Sequence, residues 1–448
     1  MESKNLHVDE VHRIKRTARH EKRKGKRYNT LEQGSLTASP QEIDKTHYTK
    51  DIVSLKRLGN YLSRISAQSR PFVAKYRTAR QTVVLPEIFD LRNNTEATLK
   101  SIYSICYNQL DPRVRRLTIN HHEVAQLGFS AESLLSFLVL ECDDYNKRRR
   151  IRKVLLDGNY PDSHNLQRMM NSAGLPNVLN ANQGENSAGG EGDINVKRFI
   201  RRSFYSAIGK NETADDTKTL ACIDVNKYLN QCLDIISREL NEDAESELGE
   251  YVGEILGNAE DHSGENLWFM SGYLDSLEES KHCNILIFNF GHSISETFTN
   301  LDKNHYSWDV VKGYVKANKE YGFSRDELIT VAALQENISS KNESDDDHRG
   351  QGTIDCLDFF QKVSEECIGQ GTGEARMTLI SGKVKIKFDA NTKVTMVGER
   401  KIIPLNAEND INLPPERTYI SSLSGVSFPG TLIAISFPMG DPMLNVNE

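Results

Sequence analysis

Nothing in the 448-residue chain approaches the roughly 20 consecutive apolar residues that a bilayer crossing needs. The opening residues, MESKNLHVDEVHRIKR, lack the apolar centre of a secretory leader. A cytoplasmic protein without membrane association is therefore expected. Paired cysteines are missing as well. Cys106, Cys142, Cys222, Cys232, Cys283, Cys356 and Cys367 stand apart with no CxxC spacing, which argues for reduced thiols and against a disulfide frame or a zinc site. There is no overall positive charge, since the formal net charge is −7, so the chain as a whole has no electrostatic reason to bind nucleic acid. No internal repeat is visible. What remains, 38% hydrophobic and 27% charged residues, describes a globular chain long enough for two or three domains and a substantial core.

Charge is uneven along that length. Nine lysines and arginines from Arg13 to Arg27 make residues 1–50 a basic arm, suited to acidic protein surface or, less readily, to nucleic acid. Beyond it the hydrophobic period changes several times. Val83-Val-Leu-Pro86 and Leu117-Thr-Ile119 read as strands, while Thr95–Tyr107 and Ala131–Leu140 carry helical spacing, so residues 51–178 are expected to form a small α/β domain. Residues 179–217, which include the glycine-rich ANQGENSAGGEGD, read as a flexible linker. From 218 to 440 two helical segments (Leu220–Leu240, Glu245–His262) precede a buried strand, Cys283–Asn289. A polar helical insertion (Asn304–Asn337), a helix opening at Gly352, and strands at Met377–Ile380, Val384–Phe388, Lys393–Val397 and Thr431–Phe437 follow. Helices and then an antiparallel set predict an α+β fold, a two-layer sandwich with helices on one face, ahead of a short tail at 441–448.

One stretch concentrates chemistry. On a helix, Asn258 lies about 400° and Asp261 about 700° round from Glu254, so the three share one face within roughly 40°. Leu248, Val252, Ile255, Leu256 and Ala259 form the opposite, apolar stripe. A carboxylate one turn from a carboxamide can hold magnesium and orient a water, because that cation takes oxygen ligands and keeps its waters. Taken alone, the stretch reads equally well as an ordinary amphipathic helix. Two glycine turns stand beside it. Gly291, after the strand ending at Asn289, allows close backbone approach to a flat ligand. Gly350-Gln-Gly352-Thr353 opens a helix, where free N–H groups and the helix dipole favour phosphate.

In their order and spacing these motifs resemble the GHKL superfamily, the ATP-binding fold of gyrase, the large heat-shock chaperone, the MutL mismatch-repair proteins and bacterial histidine kinases. Glu254-x-x-x-Asn258-Ala-x-Asp261-His262 is similar to its N box, and Asn289-x-Gly291-x-Ser293-Ile294 to its first glycine box. Ile338-Ser-Ser-Lys341 with Arg349-Gly350-x-Gly352 is similar to the lid and second glycine box of kinase-like members, and Gly430-Thr431 to their closing strand. The resemblance implies ATP and Mg2+ as cofactors. It makes Glu254 the general base, Asn258 the magnesium ligand, Asp261 a supporting or adenine-side residue, and Lys341, Arg349, Gly350, Gly352 and Thr353 the phosphate contacts. Asn289, Gly291, Ser293 and Ile294 fall on the base side, and Thr431 near a water beside the base. Two positions depart from the pattern: Asn289 stands where the family has aspartate, and the lid carries the acidic run Glu343-Ser-Asp-Asp-Asp347.

Leu117-Thr-Ile119 followed by Gly128-Phe-Ser130-Ala131 is weakly similar to the STAS fold of anti-anti-sigma factors, with Ser130 near the phosphorylated serine and Gly128 where an aspartate is usual. Ser130 reads more simply as a helix N-cap. His121-His122-Glu123 invites comparison with a histidine phospho-acceptor, but sits at a strand end. Three functions are compatible with these readings: a magnesium-dependent ATPase whose lid closure regulates a protein partner or its own first domain, a serine kinase of the anti-sigma type, or a nucleotide sensor without turnover. Glu254 favours the first, and a nucleotide-dependent homodimer is compatible with it.

Overall fold

The computed structural model describes residues 61–65, 67–68, 79–149, 153–177, 194–203, 214–262, 267–278, 281–302, 304–335, 338, 352–368, 375–389, 391–398 and 400–439. The basic arm and the tail lie outside them. Among the described residues no helix is long and apolar enough to cross a membrane.

The first half of the chain supplies β1 (Arg80–Val84), β2 (Ile88–Phe89), α1 (Thr95–Leu110), β3 (Arg116–Asn120), β4 (Gln126–Leu127), α2 (Phe129–Arg148), β5 (Leu155–Asn159) and α3 (His164–Ala173). β1, β3 and β5 pair in parallel, in that order, while β2 pairs with β4. The strands and helices expected here are all found. In α1, Leu99, Ile102, Tyr103 and Cys106 recur at the helical period and are fully buried, which is what docks the helix.

The rest of the chain contributes β6 (Val196–Arg202), α4 (Ala214–Leu233), α5 (Glu242–His262), β7 (Trp268–Asp275), β8 (His282–Phe290), α6 (Ile294–Thr299), α7 (Tyr306–Asn318) and α8 (Arg325–Ala333). Then come α9 (Gly352–Ile368), β9 (Arg376–Gly382), β10 (Val384–Phe388), β11 (Thr395–Val397), β12 (Arg400–Ile402), β13 (Ile420–Ser422) and β14 (Phe428–Pro438). Seven strands form one antiparallel sheet in the order β13-β10-β9-β14-β8-β7-β6. The chain is thus α+β. The strand expected at Lys393–Val397 falls outside this sheet, in a separate β11–β12 hairpin.

Two expectations about layering change. The large sheet is covered on both faces, not one. In β8, Cys283, Ile285 and Ile287 point to a core shared with α4, α5 and α9, whereas Leu286, Phe288 and Phe290 point to a core shared with α1 and α2. β14 divides in the same way: Ile433, Ile435 and Phe437 meet the helices and Leu432 faces the first layer. A strand buried on both faces reads as a continuous apolar run, and such a run is visible in Ile285–Phe288. Residues 61–175 therefore share a core with the sheet and do not form a separate hydrophobic unit; residues 50–448 make one compact body. The second change concerns the expected linker, where β6 pairs along its whole length with β7 at the sheet edge. Its sequence, VKRFIRR, conceals it because an edge strand tolerates charged side chains.

An aromatic cluster joins the layers. Phe137 of α2 packs edge-on against Phe269 and Phe288, with centroids 5.0 and 5.1 Å away, and Phe288 also meets Phe290 and Phe428. At another point of the interface, Arg92 donates to the Met377 and Phe388 carbonyls at 2.8 and 3.1 Å, and the Lys385 ammonium donates to Thr95 Oγ1 at 3.0 Å. Truncating Phe288 leaves a cavity between both layers. Phe288→Ala is expected to lower stability by about 3–5 kcal/mol while unfolding remains a single transition, measurable by urea melts followed through far-UV and aromatic signals. A first layer that melts separately from the sheet would contradict the shared core.

Gly128, not Ser130, occupies the N-cap of α2, and Ser130 is the second helical residue. A Cβ there would come 2.2 Å from Asp90 Oδ2, so a side chain at 128 would displace the Asp90 carboxylate. His121 is 2% exposed, with its Nε2 3.5 Å from Glu132 Oε2, so it offers no surface for phosphotransfer. His122 is exposed and lies 3.2 Å from Asp162.

Candidate active site

The alternation along β8 and β14 places the last residue of each helix-facing series, Asn289 and Thr431, side by side. They are direct register partners, and both face the helix layer beyond Ile287 and Ile433. There the sheet, α5, α6, α8 and the first turn of α9 enclose a cavity of about 130 Å³. Ile255, Ala259, Ile294, Leu334 and Ile433 give it apolar walls. Asn258, Asn289, Thr297, Thr353 and Thr431 supply neutral polar groups, and the exposed His292 stands at the mouth. Among the described residues no Asp, Glu, Lys or Arg lines it. The volume is close to that of the dry pocket of about 150 Å³ that accepts a benzene ring. The arrangement suits a flat, neutral heterocycle.

Sequence-predicted residues from five separate segments thus meet at one cavity: Asn258, Asn289, Ile294, Thr353 and Thr431. Asn289 is the most enclosed of the polar groups, at 9% exposure. Gly352 opens α9 directly before Thr353. Other predicted residues take different places. Glu254 lies one turn before Asn258, half-buried and outside the lining. Gly291 stands behind the cavity, with φ 140° and its N–H donating to the Pro429 carbonyl at 3.0 Å. The Ser293 side chain is consumed by a capping box: its Oγ accepts from Glu296 N at 3.2 Å, and the Glu296 carboxylate accepts from Ser293 N at 2.8 Å. Ser293 is thus the N-cap of α6 and stands outside the cavity lining. Asp261 is in the last turn of α5, but its side chain, like Lys341, Arg349 and Gly350, lies outside the described residues.

Sequence reading missed Ser381. Its hydroxyl, fully buried at the end of β9, receives the Ile294 N–H at 2.8 Å and lies 2.9 Å from Thr431 Oγ1. It ties the glycine turn to β14 and fixes the rim on which Asn289 and Thr431 stand. A serine directly after Met377–Ile380, at the end of a buried strand, was the available signal, since a buried Ser in a strand needs partners.

The first layer grips the same turn from behind. The Tyr61 ring stacks on Phe290 with centroids 4.4 Å apart and planes within 2°, and Arg64 Nη1 donates to the Gly291 carbonyl at 3.1 Å while its Nη2 lies 3.5 Å from Glu296 Oε1. Tyr61 also donates to Glu141 Oε2 at 3.0 Å. Burial pushes the Glu141 carboxyl up to about 7, against the pull of Arg202 at 3.7 Å and of the Tyr61 hydroxyl. A carboxyl whose folded pKa is raised binds its proton more tightly when folded. Its stabilising share is complete below about pH 4.5 and fades as pH rises through 7. Glu141→Gln, which stays neutral, is expected to flatten this window and to raise stability at pH 8 by about 1–3 kcal/mol, read from urea midpoints at pH 5 and pH 8. An unchanged pH dependence in the variant would rule out Glu141 as the source.

Among the described residues no group of three or more His, Cys, Asp or Glu side chains could hold a metal ion. Magnesium does not need one, because it commonly takes one or two protein oxygens and completes its shell with phosphate and water. The Asn258 carboxamide, half-buried at the cavity with Glu254 one turn away, fits that requirement. Comparison of the chain with protein-family models, curated proteins and solved structures returned no match.

Proposed function

We propose that the chain is a magnesium-dependent ATP-binding protein of the GHKL type that hydrolyses its nucleotide and relays the change to its first layer or to a protein partner. The observation that carries this reading is the convergence of Asn258, Asn289, Ile294, Thr353 and Thr431 on one ring-sized cavity, although they are spread from α5 to β14. Asn289 and Thr431 would hold the base in the cavity, and Asn258 and the start of α9 would hold the phosphates. The N–H groups at Gly352 and Thr353 and the dipole of that helix attract them there.

When bound, magnesium supplies charge neutralisation to the triphosphate, with Asn258 as its protein ligand. Glu254, on the same helix face, accepts a proton from the attacking water. Thr431 keeps a water beside the base while its hydroxyl is held by Ser381. Lys341 and Arg349, together with the Gly350 N–H, complete the phosphate contacts from the lid. Regulation follows from Tyr61 and Arg64: any shift of the 290–294 turn on nucleotide binding acts on the contacts that hold the first layer.

The place of Glu254 outside the cavity lining keeps a second reading in view, a nucleotide sensor without turnover. Incubation with γ-labelled ATP and magnesium separates the possibilities. Release of free labelled phosphate is the expected result. Label transferred to protein would indicate a kinase, and binding without release would indicate a sensor.

A further inference from the structure

Resting on the nucleotide reading above, the geometry points to one more property: we propose that Asn289 is the base-reading residue and that it accepts adenine and guanine nucleotides with similar affinity. Asn289 is the most deeply enclosed polar residue of the cavity, and its carboxamide, with no side-chain hydrogen bond to another described residue, is not among the buried atoms cut off from solvent but opens to the cavity. A carboxamide presented to a mostly apolar cavity is the group with which the polar edge of an entering ring can exchange hydrogen bonds in place of water. Thr431 beside it already engages Ser381, and Asn258 and Thr353 are less enclosed, so the inner edge of a bound ring meets Asn289 first.

The chemistry of that edge follows from the amide. Asn289 presents one acceptor and one donor side by side. The Watson–Crick edge of adenine offers the N6 amino donor next to the N1 acceptor, and that of guanine offers the O6 acceptor next to the N1–H donor. The two are mirror demands. A carboxamide meets either one by turning its terminal torsion, which has two wells related by a half-turn. A carboxylate accepts only, so it pairs with the adenine amino group and opposes O6 of guanine. The lining also carries no Asp, Glu, Lys or Arg that would favour one base over the other by charge.

Calorimetric titration of the full chain with ATP, GTP and ITP in magnesium tests this. The expected result is ATP and GTP dissociation constants within about tenfold, with ITP equal to GTP because the N2 amino group plays no part. Asn289→Leu is expected to weaken ATP and GTP alike, by about 10- to 100-fold, and Asn289→Asp to weaken ITP at least about tenfold relative to ATP. A preference of more than about 100-fold for one base in the parent protein, or parental affinities in Asn289→Leu, would overturn the assignment while leaving nucleotide binding in place. Binding of none of the three would overturn the functional reading itself. If either variant fails to fold, the native protein still decides. Purine riboside triphosphate, which lacks the exocyclic donor, should bind about tenfold more weakly than ATP, and equal binding would refute the role of Asn289.

Discussion

Gly430→Ala is expected to cost at least about 3 kcal/mol of stability and to abolish nucleotide binding with it. The backbone at Gly430 has φ 141°, a region closed to side-chain-bearing residues, and a Cβ built there would lie 2.0 Å from the Asn289 carbonyl oxygen. Neither atom can step aside. The carbonyl belongs to β8, whose pairing with β14 continues from Gly430 and Phe290 down to Pro438 and His282. On its other edge β14 shifts register against β9 between Phe428 and Thr431, so the strand is already irregular at this point. Relief requires β8 and β14 to separate at the end that carries Asn289 and Thr431. Urea midpoints and calorimetric titration of the variant would measure both effects; a near-parental midpoint would mean that the junction is far softer than its contacts imply.

The second large effect separates binding from chemistry. Asn258→Ala is expected to lose magnesium-dependent ATP binding, because the carboxamide is the protein ligand assigned to the metal. Glu254→Ala should bind ATP as the parent does but hydrolyse it roughly 10²–10⁴-fold more slowly, the range expected on removing a general base. Both side chains leave from one half-buried face of α5, and the buried stripe of Leu248, Val252 and Leu256 is untouched by either change. Each variant should therefore keep its fold, which a thermal melt would verify. Equal turnover in Glu254→Ala and the parent would refute the assignment of Glu254 and leave the sensor reading.

Much of the architecture was legible because local period and burial agree. The apolar pattern of β14 and the helical spacing in α1 and α5 placed those elements close to their observed bounds, while α2 runs eight residues beyond the expected end at Leu140. Layering was harder to read. An uninterrupted apolar run such as Ile285–Phe288 says that both faces of a strand are buried, but not by what, and the covering aromatics Tyr61, Phe129 and Phe137 come from far away in the chain. β6 escaped notice because pairing at a sheet edge is made by the backbone, and its charged side chains resemble those of a linker. At the site, residue type and order singled out Asn258, Asn289 and Thr431, which the fold brings to one cavity. The roles of Ser293 and Ser381 were hidden, since a serine that caps a helix and one that pins a turn look alike until their partners are known.

The most direct test of the account is a crystal structure of the protein soaked with magnesium and a non-hydrolysable ATP analogue. The account predicts the purine ring in the cavity between α5 and β14 with its edge against Asn289, the metal at Asn258, and the phosphates directed toward the start of α9. Density for the analogue elsewhere, or a cavity that stays closed while the analogue binds, would contradict it.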